Sequence, residues 1–311
     1  TMIPVAGGAY TYTFATLGEF AAWMVGWVLM LEYAIGFIAV ACAWSNHFVQ
    51  FLSGFEHVLP AWLAHPAVWL VNDSFSAAKI AAADASIHIP TLFGIPICIN
   101  LPAIIVVLLT TMILVKGTKD STKMAGVMVF IKLAVIALFV VAGAFFVKPD
   151  NWVPFAPNGA AGIFAGAFLI FFAYIGFDAL ATAAEECKNP QKDLPIGIIG
   201  SLIITTIVYV SVALVLTGLQ DTSSAVPLAF LKAPMAYCMS MLKMNWAAGL
   251  ISIGSLAGLT SVLLVLEMAA TRILYAMSRD HFISQRFQKL HPKFHTPALL
   301  TWTVGILAVV F

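Results

Sequence analysis

Apolar residues run through this chain in long blocks, and short polar stretches separate the blocks. A hydrocarbon core of about 30 Å needs about 20 apolar residues as helix. Seven blocks meet that length wholly or in part: Gly18–Phe51, Ile95–Val115, Met124–Val147, Gly162–Ala184, Ile196–Leu219, Ala247–Met277 and Ala298–Phe311. The pattern predicts an all-α polytopic membrane protein, a single transmembrane domain over residues 1–311. The last block stops before a full crossing, and the odd, interrupted set is expected of a piece of a longer chain.

The polar stretches give an orientation. Alternate loops fall into two groups, one holding Lys116, Lys119, Lys123, Lys188, Lys192, Arg279, Arg286, Lys289 and Lys293. The other holds only Lys79, Lys148, Lys232 and Lys243. The richer group is expected on the cytoplasmic side. The first span then runs outward, and the block ending near Ala184 runs inward. Two outer loops are long: residues 53–94, and residues 221–246, where short helices are expected over the extracellular mouth.

Composition agrees. Hydrophobic residues are 62% and charged residues 9% of the 311, and mean hydropathy is +1.00. A soluble domain carries roughly 25% charged residues. The net charge of +1 gives no attraction for nucleic acid. Cys42, Cys98, Cys187 and Cys238 are scattered, with no metal-ligand spacing and no disulfide framework. His57, His65 and His88 share the first outer loop without a ligand pattern, so no metal is expected. No Walker-type Gly-Lys-Ser/Thr motif is present, so no nucleotide cofactor is expected.

Five ionisable residues lie within the apolar blocks: Glu32, Lys132, Asp178, Glu267 and Arg272. A charge at mid-bilayer costs a few kcal/mol, so each needs a partner or a function. Mutual pairing is the simpler account, above all for Glu267 and Arg272, where Arg272 can also snorkel to the interface. Glu32 stands about 21 Å into its span and Lys132 about 12 Å above its cytoplasmic end. A buried lysine loses water in its charged form, which makes Lys132 a candidate proton carrier. A permanent ion pair is the competing account.

The stretch "FFAYIGFDALATAAEECKNPQKDLPIGI" (Phe171–Ile198) places Gly176 and Asp178 inside an apolar helix. Glycine there costs about 1 kcal/mol relative to alanine. One reading is a broken span whose second half begins near Asp178, which caps it. Broken backbone is tolerated in a membrane only where protein or a water-filled cavity satisfies it, and half-helix ends at mid-depth bind ions and zwitterions. The other reading is a straight helix packed closely through Gly176, with Asp178 paired. In "ISIGSLAGLTSVLLVLEMAATR", Gly254, Gly258 and Ser261 form a small-residue face for close helix packing. Thr260 and Ser261 are hydroxyls of the kind that line ion or proton sites.

Four stretches together resemble the amino acid–polyamine–organocation superfamily, in its cationic amino acid transporter branch. They are "MIPVAGGAYTYTFATLGEFAAWMVGW", "VLMLEYAIG", the Phe171–Ile198 stretch and "EMAATRILYAMSRD". The resemblance implies two five-helix inverted repeats, with helices one and six broken at the substrate site. This chain would correspond to helices three to nine, with 162–187 as helix six, two helices expected before Thr1 and at least three after Phe311. It also implies roles. Carbonyls around Phe172, Ala173 and Ile175 would bind the substrate α-ammonium, with Phe172 as an aromatic gate. Asp178 would stabilise the gap or attract a cationic side chain, and Glu32 would lie near the side-chain pocket. One turn before Glu32, where relatives carry a polar or acidic residue, this chain has Val28. Lys132 would stand where relatives bind sodium, flanked by Thr260 and Ser261, so that protons replace sodium. The implied function is proton-coupled transport of cationic or small neutral amino acids by alternating access in a plasma or bacterial inner membrane. The competing functions are a non-transporting subunit or scaffold of the same fold, and a membrane-embedded enzyme, for which no nucleophile–base pair or metal-ligand set is present.

Overall fold

The computed structural model describes residues 7–55, 57, 59–72, 74–83, 89–92, 95–176, 178–182, 187, 189–220, 230 and 233–310. Its helices follow the apolar blocks. Five helical stretches are long and apolar enough to cross a membrane: Glu19–Ser53, Lys123–Ala144, Gly159–Thr182, Pro190–Leu219 and Asn245–Arg279. Two shorter apolar helices, Leu101–Lys116 and Ala298–Val310, match the remaining blocks. In chain order the helices are α1 (Ala9–Leu17), α2 (Glu19–Ser53), α3 (Ala61–Ala64), α4 (Val68–Val71), α5 (Ser74–Ala83), α6 (Leu101–Lys116) and α7 (Thr118–Ala144). They continue as α8 (Gly159–Phe171), α9 (Ala179–Thr182), α10 (Pro190–Leu219), α11 (Pro234–Met241), α12 (Asn245–Arg279) and α13 (Ala298–Val310).

Two local features differ from the expected pattern. The block Ile95–Val115 becomes helical only at Leu101, because Asn100 caps the helix by accepting from the Ala103 N–H and Pro102 occupies its first turn. Before it, Thr91–Leu92 pairs antiparallel with Ile95–Pro96, so the all-α expectation gains one two-stranded ribbon. The first outer loop is partly helical, through α3, α4 and α5. Of its three histidines, His88 lies outside the described residues, as does most of the 221–232 stretch. Among the described residues no cluster of histidine, cysteine and carboxylate could hold a metal.

The chain divides into two compact units. The first comprises the described residues of 1–18 and 130–254. Its core gathers Phe139 of α7, Val215 of α10, Cys238 and Met239 of α11, and Ala247 and Ile251 of α12. Burial pushes the Cys238 thiol up to about 11, so it remains neutral. Gly254 lies against Val135, where an added Cβ would stand 2.8 Å from a methyl, so this part of the small-residue face packs as expected. The turn after α7 is tied to α10: Asn151 Nδ2 donates to the Gly218 carbonyl (2.9 Å) and Trp152 Nε1 to Thr217 Oγ1 (3.1 Å).

The second unit comprises the described residues of 19–129 and 255–311. Here α6 packs against α2 and α13, with Tyr33, Phe37, Val107, Leu263, Ile273 and Leu300 in the core. Thr296 Oγ1 donates to the Val115 carbonyl (2.8 Å) and fixes the entry to α13. Gly305 lets α13 close over Thr111, since an added Cβ would overlap the Thr111 hydroxyl oxygen. Overpacking of this kind costs about 1–3 kcal/mol. Gly305→Ala is therefore expected to lower the thermal unfolding midpoint clearly, while Gly200→Ala, with open space around it, leaves it unchanged or raised. Differential scanning fluorimetry in detergent checks both.

Candidate functional site: a broken helix and its partners

The apolar helix α8 ends at Phe171 and tightens into a 3-10 turn over Phe172–Tyr174. Ile175 is then extended, with φ −56° and ψ 133°. Gly176 follows with φ +97°, a region that favours glycine because it has no Cβ. Helix resumes at Ala179, directly after Asp178, whose carbonyl accepts from the Ala181 N–H (2.9 Å). The broken reading of this stretch therefore holds and the straight helix does not. The break brings Phe172, Ala173, Ile175 and Asp178 together within one span. Phe172 and Ala173 are exposed, while Ile175 and Asp178 are half-buried. Phe177, the paired Glu185 and Glu186, and Lys188 lie outside the described residues.

A break leaves carbonyls without helical donors, and α10 supplies one. Tyr209 Oη donates to the Ala173 carbonyl (2.8 Å), and Tyr174 Oη lies 3.0 Å from Thr206 Oγ1. The rings of Tyr174 and Tyr209 meet edge to face at 5.3 Å. A carbonyl has two lone pairs, so Ala173 can still accept from a ligand. Thr206 and Tyr209 were not singled out in the sequence. Their signal was two hydroxyls three residues apart in the apolar run "TTIVYV", one helical face. Across the break, Gly8 closes on α9, where an added Cβ would stand 3.1 Å from Thr182 Cγ2. Tyr209→Phe removes the donor to the broken helix and is expected to destabilise by about 1 kcal/mol. The drop in unfolding midpoint relative to Tyr237→Phe measures it.

Helix α10 begins at Pro190, six residues before the expected apolar block Ile196–Leu219, so Pro195 lies inside the helix and not in a turn. Pro190 occupies the first helical position, and Asp193 Oδ2 accepts from the Asn189 N–H (3.2 Å). Lys132 is partly buried on α7, in the first unit. Glu32, Thr260 and Ser261 belong to the second unit. Glu32 is partly buried on α2 beside Tyr33, and Val28 one turn earlier is exposed. Thr260 Oγ1 donates to the Leu256 carbonyl (2.8 Å) and accepts from Trp44 Nε1 (2.9 Å). Ser261 is buried and donates to the Gly258 carbonyl (2.7 Å). The expected pairing of Glu267 with Arg272 is corrected: Glu267 is fully buried and its Oε1 lies 2.6 Å from Thr111 Oγ1 of α6. The two residues are five apart on one helix, which places them on different faces.

The comparisons with known proteins agree with this architecture. Residues 1–311 match the family described as amino acid permease. The chain is 41% identical to the methylthioribose transporter of Bacillus subtilis (strain 168) over 308 residues, which covers 98% of this chain and 60% of that protein. It is 42% identical over 306 residues to the branched-chain amino acid permease BcaP of the same organism, with the same coverage. It is 36% identical over 290 residues to the chloroplastic cationic amino acid transporter 9 of Arabidopsis thaliana, covering 93% of this chain and 46% of that one. The chain thus spans about half to 60% of the length of the curated relatives it matches. With the family matched over residues 1–311, five helical stretches long and apolar enough to cross a membrane, and one of them broken at Gly176, this chain belongs to the amino acid permease family of multi-pass membrane proteins.

Proposed function

We propose that this chain is the core of a proton-coupled amino acid permease that works by alternating access. The observation that carries the reading is the break at Phe172–Ala179 inside an apolar span. A bilayer tolerates such backbone only where it lines protein or a cavity, and carbonyls released there can hold an ammonium group. The carbonyls of Phe172, Ala173 and Ile175 would take the substrate α-ammonium, with Phe172 as the gate. Asp178 would hold the second half-helix and attract a cationic side chain, and Glu32 would add negative charge near the side-chain pocket. Lys132, with Thr260 and Ser261 as hydroxyls of the coupling machinery, would carry the proton. In this proposal the segment 162–187 is helix six of a five-plus-five inverted repeat, in a plasma or bacterial inner membrane.

The relatives' names divide between branched-chain and cationic amino acids and one thio-sugar. Glu32 and Asp178 favour cations, while Val28 and Phe172 suit small neutral side chains. Both classes are expected to be accepted. The test is uptake into liposomes holding the native transporter, under an inward proton gradient, with arginine, lysine, alanine, leucine and methylthioribose as competitors. Competition by a cationic and a neutral amino acid supports the reading. Competition by methylthioribose alone, or uptake of none of the five, overturns it.

A further inference from the structure

Glu267 sits in the second unit, away from the broken helix in sequence and used by none of the roles above. Its side chain is 0% exposed, and its Oε2 has no hydrogen-bond partner among the described residues. Glu267 is among the residues lining a cavity of ≈180 Å³ whose described wall, apart from Tyr33, is otherwise apolar and includes Phe37, Leu274, Val304 and Leu307. Tyr33 of α2 is the other titratable residue in the described lining. From α6 the facing polar groups are the Thr110 and Thr111 hydroxyls, and α13 contributes only apolar side chains to the wall. Glu32 on α2 and Arg272 on α12 do not line this cavity and are engaged in interactions of their own.

The hydrogens at Thr111 can be counted. Its Oγ1 stands 2.6 Å from Glu267 Oε1 and 2.8 Å from the Val107 carbonyl oxygen. A hydroxyl has one hydrogen and two lone pairs, and a carbonyl oxygen only accepts. The Val107 carbonyl also accepts from Thr110 Oγ1 (2.9 Å), but if Glu267 were ionised the one Thr111 hydrogen could lie on only one of its two contacts, leaving the other short O···O approach without a hydrogen. The second carboxylate oxygen would also hold charge while buried, with no ion pair among the described residues to offset its lost hydration. If the carboxyl carries a proton on Oε1, it donates to Thr111, and Thr111 donates to Val107. Each contact then has one hydrogen, and Oε2 is a neutral carbonyl oxygen. The 2.6 Å separation lies in the range of an O–H···O bond.

We propose that Glu267 is a proton-binding site: a neutral carboxyl, buried beside the cavity between α2, α12 and α13, that donates to Thr111. The ligand class is a single proton. A hydrated metal cation needs several oxygen ligands, and this wall offers one carboxyl. The site is independent of the coupling role proposed for Lys132.

Infrared difference spectroscopy of the native transporter, reconstituted without substrate or gradient at pH 7, tests it. Wild type minus Glu267→Gln is expected to show loss of a protonated-carboxyl C=O band. Thr111→Val, which keeps the volume and removes the acceptor, is expected to shift that band. Lys132→Ala is expected to keep it, so failure of the transport reading and failure of this one remain distinguishable. Loss of an ionised carboxylate band in Glu267→Gln, or no difference in the C=O region, overturns the proposal. If Glu267→Gln does not fold, the Thr111→Val spectrum decides: a shifted band supports the site and an unshifted one overturns it.

Discussion

Lys132→Ala is expected to abolish uptake driven by a pH gradient in the native transporter while the protein still folds. Lys132 is a single cation in the apolar stretch "MVFIKLAVIALF" and is partly buried on α7. A protonated ammonium can hold neighbouring helices through hydrogen bonds to carbonyls and hydroxyls, and the neutral amine holds them less. A proton bound a hundredfold more tightly in one conformation than in the other biases the two by about 2.7 kcal/mol. Alanine removes that bias and leaves two conformations that no longer sense protons. Its folding cost is small, because a helix favours alanine and a buried charge is removed. Sodium is expected to be dispensable for the wild type, since the ammonium is proposed to replace it. Uptake is measured in liposomes at fixed sodium with a varied pH gradient, then at fixed pH with choline for sodium. A full pH response in Lys132→Ala, or collapse of wild-type uptake in choline, would return Lys132 to the role of a structural ion-pair partner.

How much of this was legible differs by residue. The seven apolar blocks became helices because a run of about 20 apolar residues has few other ways to satisfy its backbone in lipid. The start of α6 was misplaced by six residues at the Ile95 end, since apolar content says nothing of a cap, and Asn100 with Pro102 decides it. The break at Gly176 was legible as one of two alternatives, because glycine followed by a carboxylate is costly in a continuous apolar helix. Its stabilisation was not: Tyr209 and Ala173 are 36 residues apart, and only the packing of α10 on the broken helix joins them. Glu267 shows the same limit. Sequence offered Arg272 as the nearest opposite charge, while the structure takes Thr111, 156 residues away. Periodicity places residues on a helical face; it does not say which face of which helix arrives opposite.

The second large effect is expected at Gly176. Its φ of +97° turns the chain between the 3-10 end of α8 and the start of α9. An L-residue with a Cβ meets the carbonyl there and costs about 1–2 kcal/mol for alanine, more for a β-branched side chain. Two outcomes relieve the strain: the helix closes through the gap, or the two halves shift. Either one moves the carbonyls of Phe172, Ala173 and Ile175 that are proposed to hold the substrate ammonium. A displacement of about 1 Å in a positioning contact can cost a hundredfold in rate. Gly176→Val is therefore expected to reduce uptake by at least about tenfold, with a raised half-saturation concentration at low uptake. Gly200→Val serves as the comparison, since its surroundings are open and its φ is ordinary. Both variants are checked for monodispersity and thermal midpoint before uptake is measured. If Gly176→Val folds and transports as well as Gly200→Val, the break is a packing feature of α8, and the substrate site must be sought elsewhere.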